Sequence, residues 1–344
     1  MTQPSSNDDS GGSFWSRWEP RDIAPIVTLV VLFAFFWAAA PDFRNLGTIT
    51  RVLKQGAVLG IVSVGLTYVL LCGEIDLAVG TIALGTACLC GVLFEQPFAA
   101  GTGGKGAVSV GVILLVILVP LGVSLIAGLL SGSLTVLSRL PSFIITLSMM
   151  NIAQGLAKYI TASRKHEVPE ILKLIGNSGI TLSRQVTIPY SALLAGAIML
   201  IGHIVLQHTR FGRYVYMTGG NREAARLAGV RTHRIVIASL ALCALTAGLG
   251  GLVNAGRLGS VSLDQNADLL LNAVACVVLG GTSLFGGEGS MGRTLIGVLT
   301  FTMLQVGLAD IKWVNEFMRT FLLGVVLLVA LVINGLLAQR QRTR

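Results

Sequence analysis

The sequence predicts an all-α, polytopic integral membrane protein of about ten transmembrane or re-entrant helical segments, with one short helix in a basic loop. Three observations carry that prediction. Hydrophobic residues make up 53% of the 344 and charged residues only 12%, against roughly 25% charged in soluble domains, and the mean hydropathy is +0.78. Apolar runs of roughly 17–25 residues, the length at which a helix crosses a bilayer, recur along the whole chain. Cationic stretches fall between such runs and at the carboxyl end, as they do in cytoplasmic loops.

Residues 1–22 are polar and rich in Ser, Gly and Asp, the composition of a disordered tail. They lack the basic start of a secretory signal. Ala38-Ala39-Ala40 is followed directly by Pro41, so Ile23–Ala40 reads as a retained first span. Nine further segments follow: Val52–Leu71, Leu77–Phe94, Ala107–Leu130, Ser142–Ile160, Thr187–Leu206, Ile235–Val253, Ala267–Leu284, Thr294–Leu308 and Phe317–Asn334. Together they form a membrane domain over 23–335, closed by a basic tail over 336–344. Pro120 lacks an N–H and is expected to kink its helix. Two segments are expected to be broken or re-entrant. Leu77–Phe94 follows Gly73-Glu74-Ile75-Asp76, two acids at the mouth of an apolar run. Ala267–Leu284 follows Asp264, contains Asp268 and Asn272, and ends in the glycine-rich stretch GGTSLFGGEGSMG. Irregular backbone at such depth survives only where protein or a water-filled cavity covers it. Gly56-x3-Gly60 and Gly128-x3-Gly132 are small-residue faces that let helices approach closely. The five cysteines lie in or beside apolar runs, and Cys88-x-Cys90 has the wrong spacing for a redox or zinc pair, so they read as small buried hydrophobes.

The basic loop over 208–234 carries Arg210, Arg213, Arg222, Arg226, Arg231 and Arg234 against the single acid Glu223. Lying between two spans, it reads as cytoplasmic. Within it, Gly219-Gly220 interrupts the chain, Asn221 caps, Glu223 falls in the first turn, and Gly229 ends a helix whose apolar side is Ala224, Ala225, Leu227 and Ala228. A helix of about two turns is marginal alone in water. It therefore requires a docking surface; Arg222 is expected to be solvated. An even number of spans puts both termini in the cytoplasm, which Arg340, Arg342 and Arg344 fit. The same topology puts Arg164, Lys165, Lys173 and Arg184 outside, against the charge rule.

Several function classes are poorly supported. No nucleotide motif is present: in GTGGKG over Gly101–Gly106 the first glycine of a phosphate loop is replaced by Ala99 and the final Ser/Thr by Gly106. Any use of ATP then falls to another chain. The four histidines form no HExxH pattern, and Gly259-Ser260 does not belong to a GxSxG elbow, so no catalytic or cofactor-binding constellation is visible. Net charge +9 invites nucleic acid, but aromatics at 6% supply no stacking array. Mid-span charge, the mark of an ion-coupled pump, is nearly absent. Polar uncharged residues within spans include Thr146, Ser148, Asn151, Gln154, Asn254, Asn272 and Gln305. Such side chains either bond neighbouring helices or line a path for a hydroxylated solute. Asn151 and Asn272, with Asp76 near one mouth, are the path candidates.

Five stretches together resemble a known family. They are GEIDLAVGTIALG (Gly73–Gly85), GLLSGSLTVLSRLPSFIITLSMM (Gly128–Met150), FGRYVYMTGGNREAARLAGV (Phe211–Val230), NAVACVVLGGTSLFGGEGSMG (Asn272–Gly292) and the final span. They resemble the permease subunits of bacterial ATP-binding-cassette importers for monosaccharides of the ribose, xylose and galactose type. The family usually has Gly-Gly-Ile-Asp where this chain has Gly73-Glu74-Ile75-Asp76. The resemblance implies a multi-pass inner-membrane subunit for a monosaccharide or similar polyol. It also implies a homodimeric permease pair, a cytosolic ATPase that binds ATP and magnesium, and a periplasmic sugar-binding protein. It identifies the short helix with the coupling helix that sits in a groove of the ATPase, through Gly219, Gly220, Asn221, Glu223, Ala224, Ala225, Leu227 and Gly229. The alternative is a stand-alone secondary transporter or facilitator of a small neutral solute.

Overall fold

Each of the ten predicted apolar runs contains a helix in the computed structural model, which describes residues 20–95, 109–266 and 268–342. The polar tail through residue 19 and the GTGGKG loop lie outside the described residues. In chain order the helices are α1 (Pro20–Ala39), α2 (Gly47–Leu71), α3 (Val79–Glu95), α4 (Val110–Ser138), α5 (Ser142–Thr161), α6 (Glu170–Asn177), α7 (Tyr190–His208), α8 (Arg210–Gly220), α9 (Arg222–Leu227), α10 (Thr232–Leu258), α11 (Leu269–Leu279), α12 (Met291–Ala309) and α13 (Glu316–Arg342). A 3-10 turn (Pro41–Arg44) and four short strands complete the described elements, β1 (His166–Glu167), β2 (Gly179–Ser183), β3 (Val186–Pro189) and β4 (Ser260–Val261), in two antiparallel pairs, β1 with β4 and β2 with β3.

Among the described residues, six helices are long and apolar enough to cross a membrane: α2, α4, α5, α7, α10 and α12. They divide by burial. In α2, α10 and α12 some 83%, 72% and 67% of the most apolar window is inside the protein, whereas in α4, α5 and α7 only 17%, 17% and 28% is. The first three form the middle of the bundle and the second three face outward. α10 packs along α2, α3, α4 and α6. The Gly128-x3-Gly132 face of α4 makes one of these contacts, because a methyl group at Gly128 would strike Ala244 and one at Gly132 would strike the backbone of Ile237. Pro120 sits within a helix that runs unbroken from Val110 to Ser138.

The two segments with irregular flanks are both short. α3 begins only at Val79, after a non-helical stretch at 72–78. α11 has 11 residues, a rise of about 16 Å against a hydrocarbon core of about 30 Å. The predicted run Ala267–Leu284 is thus a half-helix followed by a loop of glycines. All five cysteines are buried thiols.

The bundle has two ends of different character. At the basic end, the carboxyl end of α2, the α4–α5 turn, α8, α9 and the glycine-rich loop at 280–290 lie together, joined by Gly287 N–H donating to Leu71 O at 2.9 Å. At the opposite end, α6 and the β2–β3 hairpin form a cap. There Lys173 pairs with Glu170 at 2.7 Å and His166 with Glu95 at 2.6 Å.

Candidate functional site

The basic loop folds into two helices, not one. Thr209 caps α8, its Oγ1 accepting from Gly212 N–H at 3.3 Å, and the helix then runs to Gly220 through residues with no helix signal in the sequence. Gly219 and Gly220 therefore close α8 instead of opening the short helix. Asn221 follows in extended conformation, and its Oδ1 accepts from Ala224 N–H at 3.0 Å, a cap worth about 1 kcal/mol. Gly229, at φ +81°, ends the turn, with Val230 N–H donating to Ala225 O at 2.9 Å. That left-handed conformation is the reason for glycine there.

The faces of α9 differ from expectation. Ala225 is 2% exposed and belongs to the chain's own core, so it is turned away from any partner. Glu223, Ala224, Leu227 and Ala228 are exposed, Leu227 at 83%. Arg222 is not simply solvated. Its Nη2 pairs with Oε1 of Glu74, a carboxylate that is otherwise buried. Arg226 Nε donates to Thr232 Oγ1 at 3.2 Å and ties α9 to the start of α10.

Glu74 belongs to the stretch that enters α3. From this stretch Ile75 N–H donates to Ser142 Oγ at 3.0 Å and Leu77 N–H to Thr146 Oγ1 at 3.1 Å, both on α5. Asp76 is 3% exposed and accepts from Ala78 N–H at 2.9 Å. It lies buried at the entry to α3. Backbone meets backbone beside it: a Cβ at Gly219 would collide with Leu71 O, and one at Gly286 would press on Gly73. Tyr216 of α8 donates to Gly289 O at 2.8 Å, and burial pushes its phenol above its ordinary value. The short helix, the entry to α3 and the glycine-rich loop are thus one junction.

The three path candidates do not meet. Asn151 is exposed on α5, with Nδ2 donating to Leu147 O of its own helix at 3.0 Å. Asn272 lines a cleft of about 560 Å³ at the hairpin end, to which neither Asp76 nor Asn151 contributes. The cleft also holds Arg51, Lys54, Gln55, Arg257 and Gln305. Of these, only Gln305 was a candidate by sequence. The signal for the rest was the spacing of Arg51, Lys54 and Gln55, which share one face of a helix.

The chain matches, over residues 48–331, the family described as branched-chain amino acid transport system / permease component. It is 31% identical over 331 residues to the ribose import permease protein of Escherichia coli (strain K12), covering 95% of this chain and 97% of that one. It is 32% identical over 324 residues to a probable ABC transporter permease protein of the same organism, covering 93% and 91%. A fructose import permease protein of Rhizobium meliloti is 31% identical over 325 residues, covering 92% and 85%. No solved structure matches the chain significantly.

Proposed function

The chain belongs to the branched-chain amino acid transport system / permease component family, and from that membership we propose that it forms the membrane path of an ATP-driven importer for a monosaccharide or related polyol. It is a transport subunit and not an enzyme. The sugar class rests on the ribose and fructose import permeases it resembles. One observation carries the coupling role. A two-turn helix, braced from within by Ala225 and Arg222, turns Glu223, Ala224, Leu227 and Ala228 to solvent. Packing to its own chain leaves that face unpartnered among the described residues, and a groove on a cytosolic ATPase is the occupant this reading gives it. ATP and magnesium would bind there, on the ATPase. A second copy of this chain would complete the path, and a periplasmic binding protein would deliver the solute to the hairpin end. The basic end, with both termini, faces the cytoplasm in this reading, as the arginines of α8–α10 favour.

Reconstitution tests it. Liposomes holding this chain alone are expected to take up no ribose or fructose under a proton or sodium gradient. Uptake should appear only with the cognate ATPase, the binding protein and ATP. Gradient-driven uptake by the isolated chain would establish the secondary-transporter reading instead.

A further inference from the structure

Five helices meet around the cleft at the hairpin end: the first turns of α2, the end of α10, the first turn of α11, the end of α12 and the start of α13. Its charge is unevenly compensated. Arg51 is held by Asp310 at 2.6 and 2.7 Å. Arg319 has Glu316 at 3.9 Å, and Glu316 and Asp268 are exposed. Lys54 and Arg257 differ. Lys54 Nζ donates to Asn177 Oδ1 at 2.7 Å. Arg257 donates through Nε and Nη2 to Asn254 Oδ1 at 3.1 and 2.9 Å, and Asn254 is itself fixed by donating to Asn266 Oδ1 at 2.6 Å. Both cations are partly buried, both lean on neutral amides, and both line the same cleft. Among the described residues no carboxylate lies within ion-pair distance of either.

Two neighbouring, partly desolvated cations are costly to hold without a counter-charge. A third source of positive potential points the same way. α11 begins at the cleft, where Asp268 makes no side-chain cap bond and Leu269 N–H donates to Asn266 O at 3.1 Å, so the positive end of the helix dipole lies at the cleft. Half-helix amino termini of this kind meet anionic groups of solutes in other transporters. Around the cations stand amides suited to hydroxyls: Asn272, and Gln55, whose Nε2 donates to Gln305 Oε1 at 2.7 Å.

We propose that this cleft is an oxyanion site, and that the imported solute is a polyhydroxylated compound carrying a carboxylate or phosphate. Lys54 and Arg257 hold the anion, and Asn272, Gln55 and Gln305 meet the hydroxyls. The proposal rests on the importer reading above and narrows it to acidic sugars.

The test is equilibrium binding and thermal unfolding of the full-length chain in neutral detergent at fixed ionic strength. The probes are D-gluconate and ribose 5-phosphate, with D-sorbitol and D-ribose as neutral comparators. At least one anionic probe is expected to bind and raise the unfolding midpoint, the neutral polyols at least tenfold more weakly. Lys54→Gln should weaken anion binding at least tenfold and Lys54→Arg should restore it. Arg257→Gln should abolish it, and where that variant does not fold, the Lys54 pair decides. Equal binding of gluconate and sorbitol, or unchanged anion affinity in Lys54→Gln, overturns the proposal. So does a cleft that responds only to phosphatidylglycerol added to the micelles and to neither soluble anion. ATP-driven uptake of neutral ribose by the assembled complex, with no anion bound, would overturn this inference and leave the importer reading standing. Anion binding without any ATP-driven uptake would leave the anion site standing and overturn the importer reading, and with it the identification of the anion as cargo.

Discussion

The Glu74–Arg222 pair gives meaning to two residues that sequence reasoning treated separately. Glu74 departs from the family's usual glycine, and Arg222 was expected in solvent. Side-chain exposures of 8% for Glu74 and 43% for Arg222 make the pair half-buried. Breaking it from one side should cost between the ~0.5 kcal/mol of an exposed pair and the ~4 kcal/mol of a buried one. Arg222 also occupies the first position of α9, where a cation opposes the helix dipole, and Glu74 offsets that charge. Arg222→Ala should therefore lower the unfolding midpoint in detergent by several degrees, whereas Glu223→Lys, at an exposed position, should leave it nearly unchanged. Adding Glu74→Gln to Arg222→Ala should recover part of the loss, since no buried carboxylate then lacks a partner. Equal midpoints for Arg222→Ala and wild type would show that the pair carries no stability.

The short helix α9 is where local rules and packing divide the work. Its cap, its first-turn acid and its terminal glycine follow from the sequence, but which alanine faces the partner does not. Ala225 packs into the core, so Ala225→Trp should destabilise the permease itself and reduce its yield. Leu227→Asp and Ala224→Trp alter only the exposed face. They are expected to leave unfolding unchanged while co-purification of the cognate ATPase falls at least severalfold. If both variants retain full ATPase binding and ATP-driven uptake, α9 is not the coupling element. The glycine junction behind it adds a constraint of a different kind. Gly219→Ala should disturb folding, because a methyl group there meets the Leu71 carbonyl oxygen.

For the whole molecule, the two ends predict an orientation that labelling can check. In a cysteine-free background, a cysteine placed at Arg184 in the β2–β3 turn should react with an impermeant maleimide from the periplasmic side. One placed at Leu227 should react only after the cytoplasmic face is opened. The reverse pattern would invert the topology. The outward helices α4, α5 and α7 carry exposed apolar side chains such as Leu118, Ile126, Ile152 and Ile201. These suit lipid or a second copy of the chain, the contact that the homodimer reading requires.

Much was legible in the sequence because the bilayer imposes it. Length and apolarity fix the helical class of the apolar runs, since no other open structure satisfies its backbone in hydrocarbon. Short-range chemistry fixed the Asn221 cap and the Gly229 stop, and the glycine spacing fixed the close face of α4. What the sequence could not decide lies in contacts between residues far apart along the chain. The pairing of Glu74 with Arg222 spans 148 positions, and no periodicity announces it. α8 was missed because its apolar face, including buried Val215, is short and interrupted by arginines. Ala225 and Ala224 look alike in sequence, yet about 100° of helical rotation puts one in the core and the other in solvent. The cleft had no signature for the same reason. Its lining comes from five helices, and only packing brings Lys54 and Arg257 into one cleft and leaves them with amides for partners.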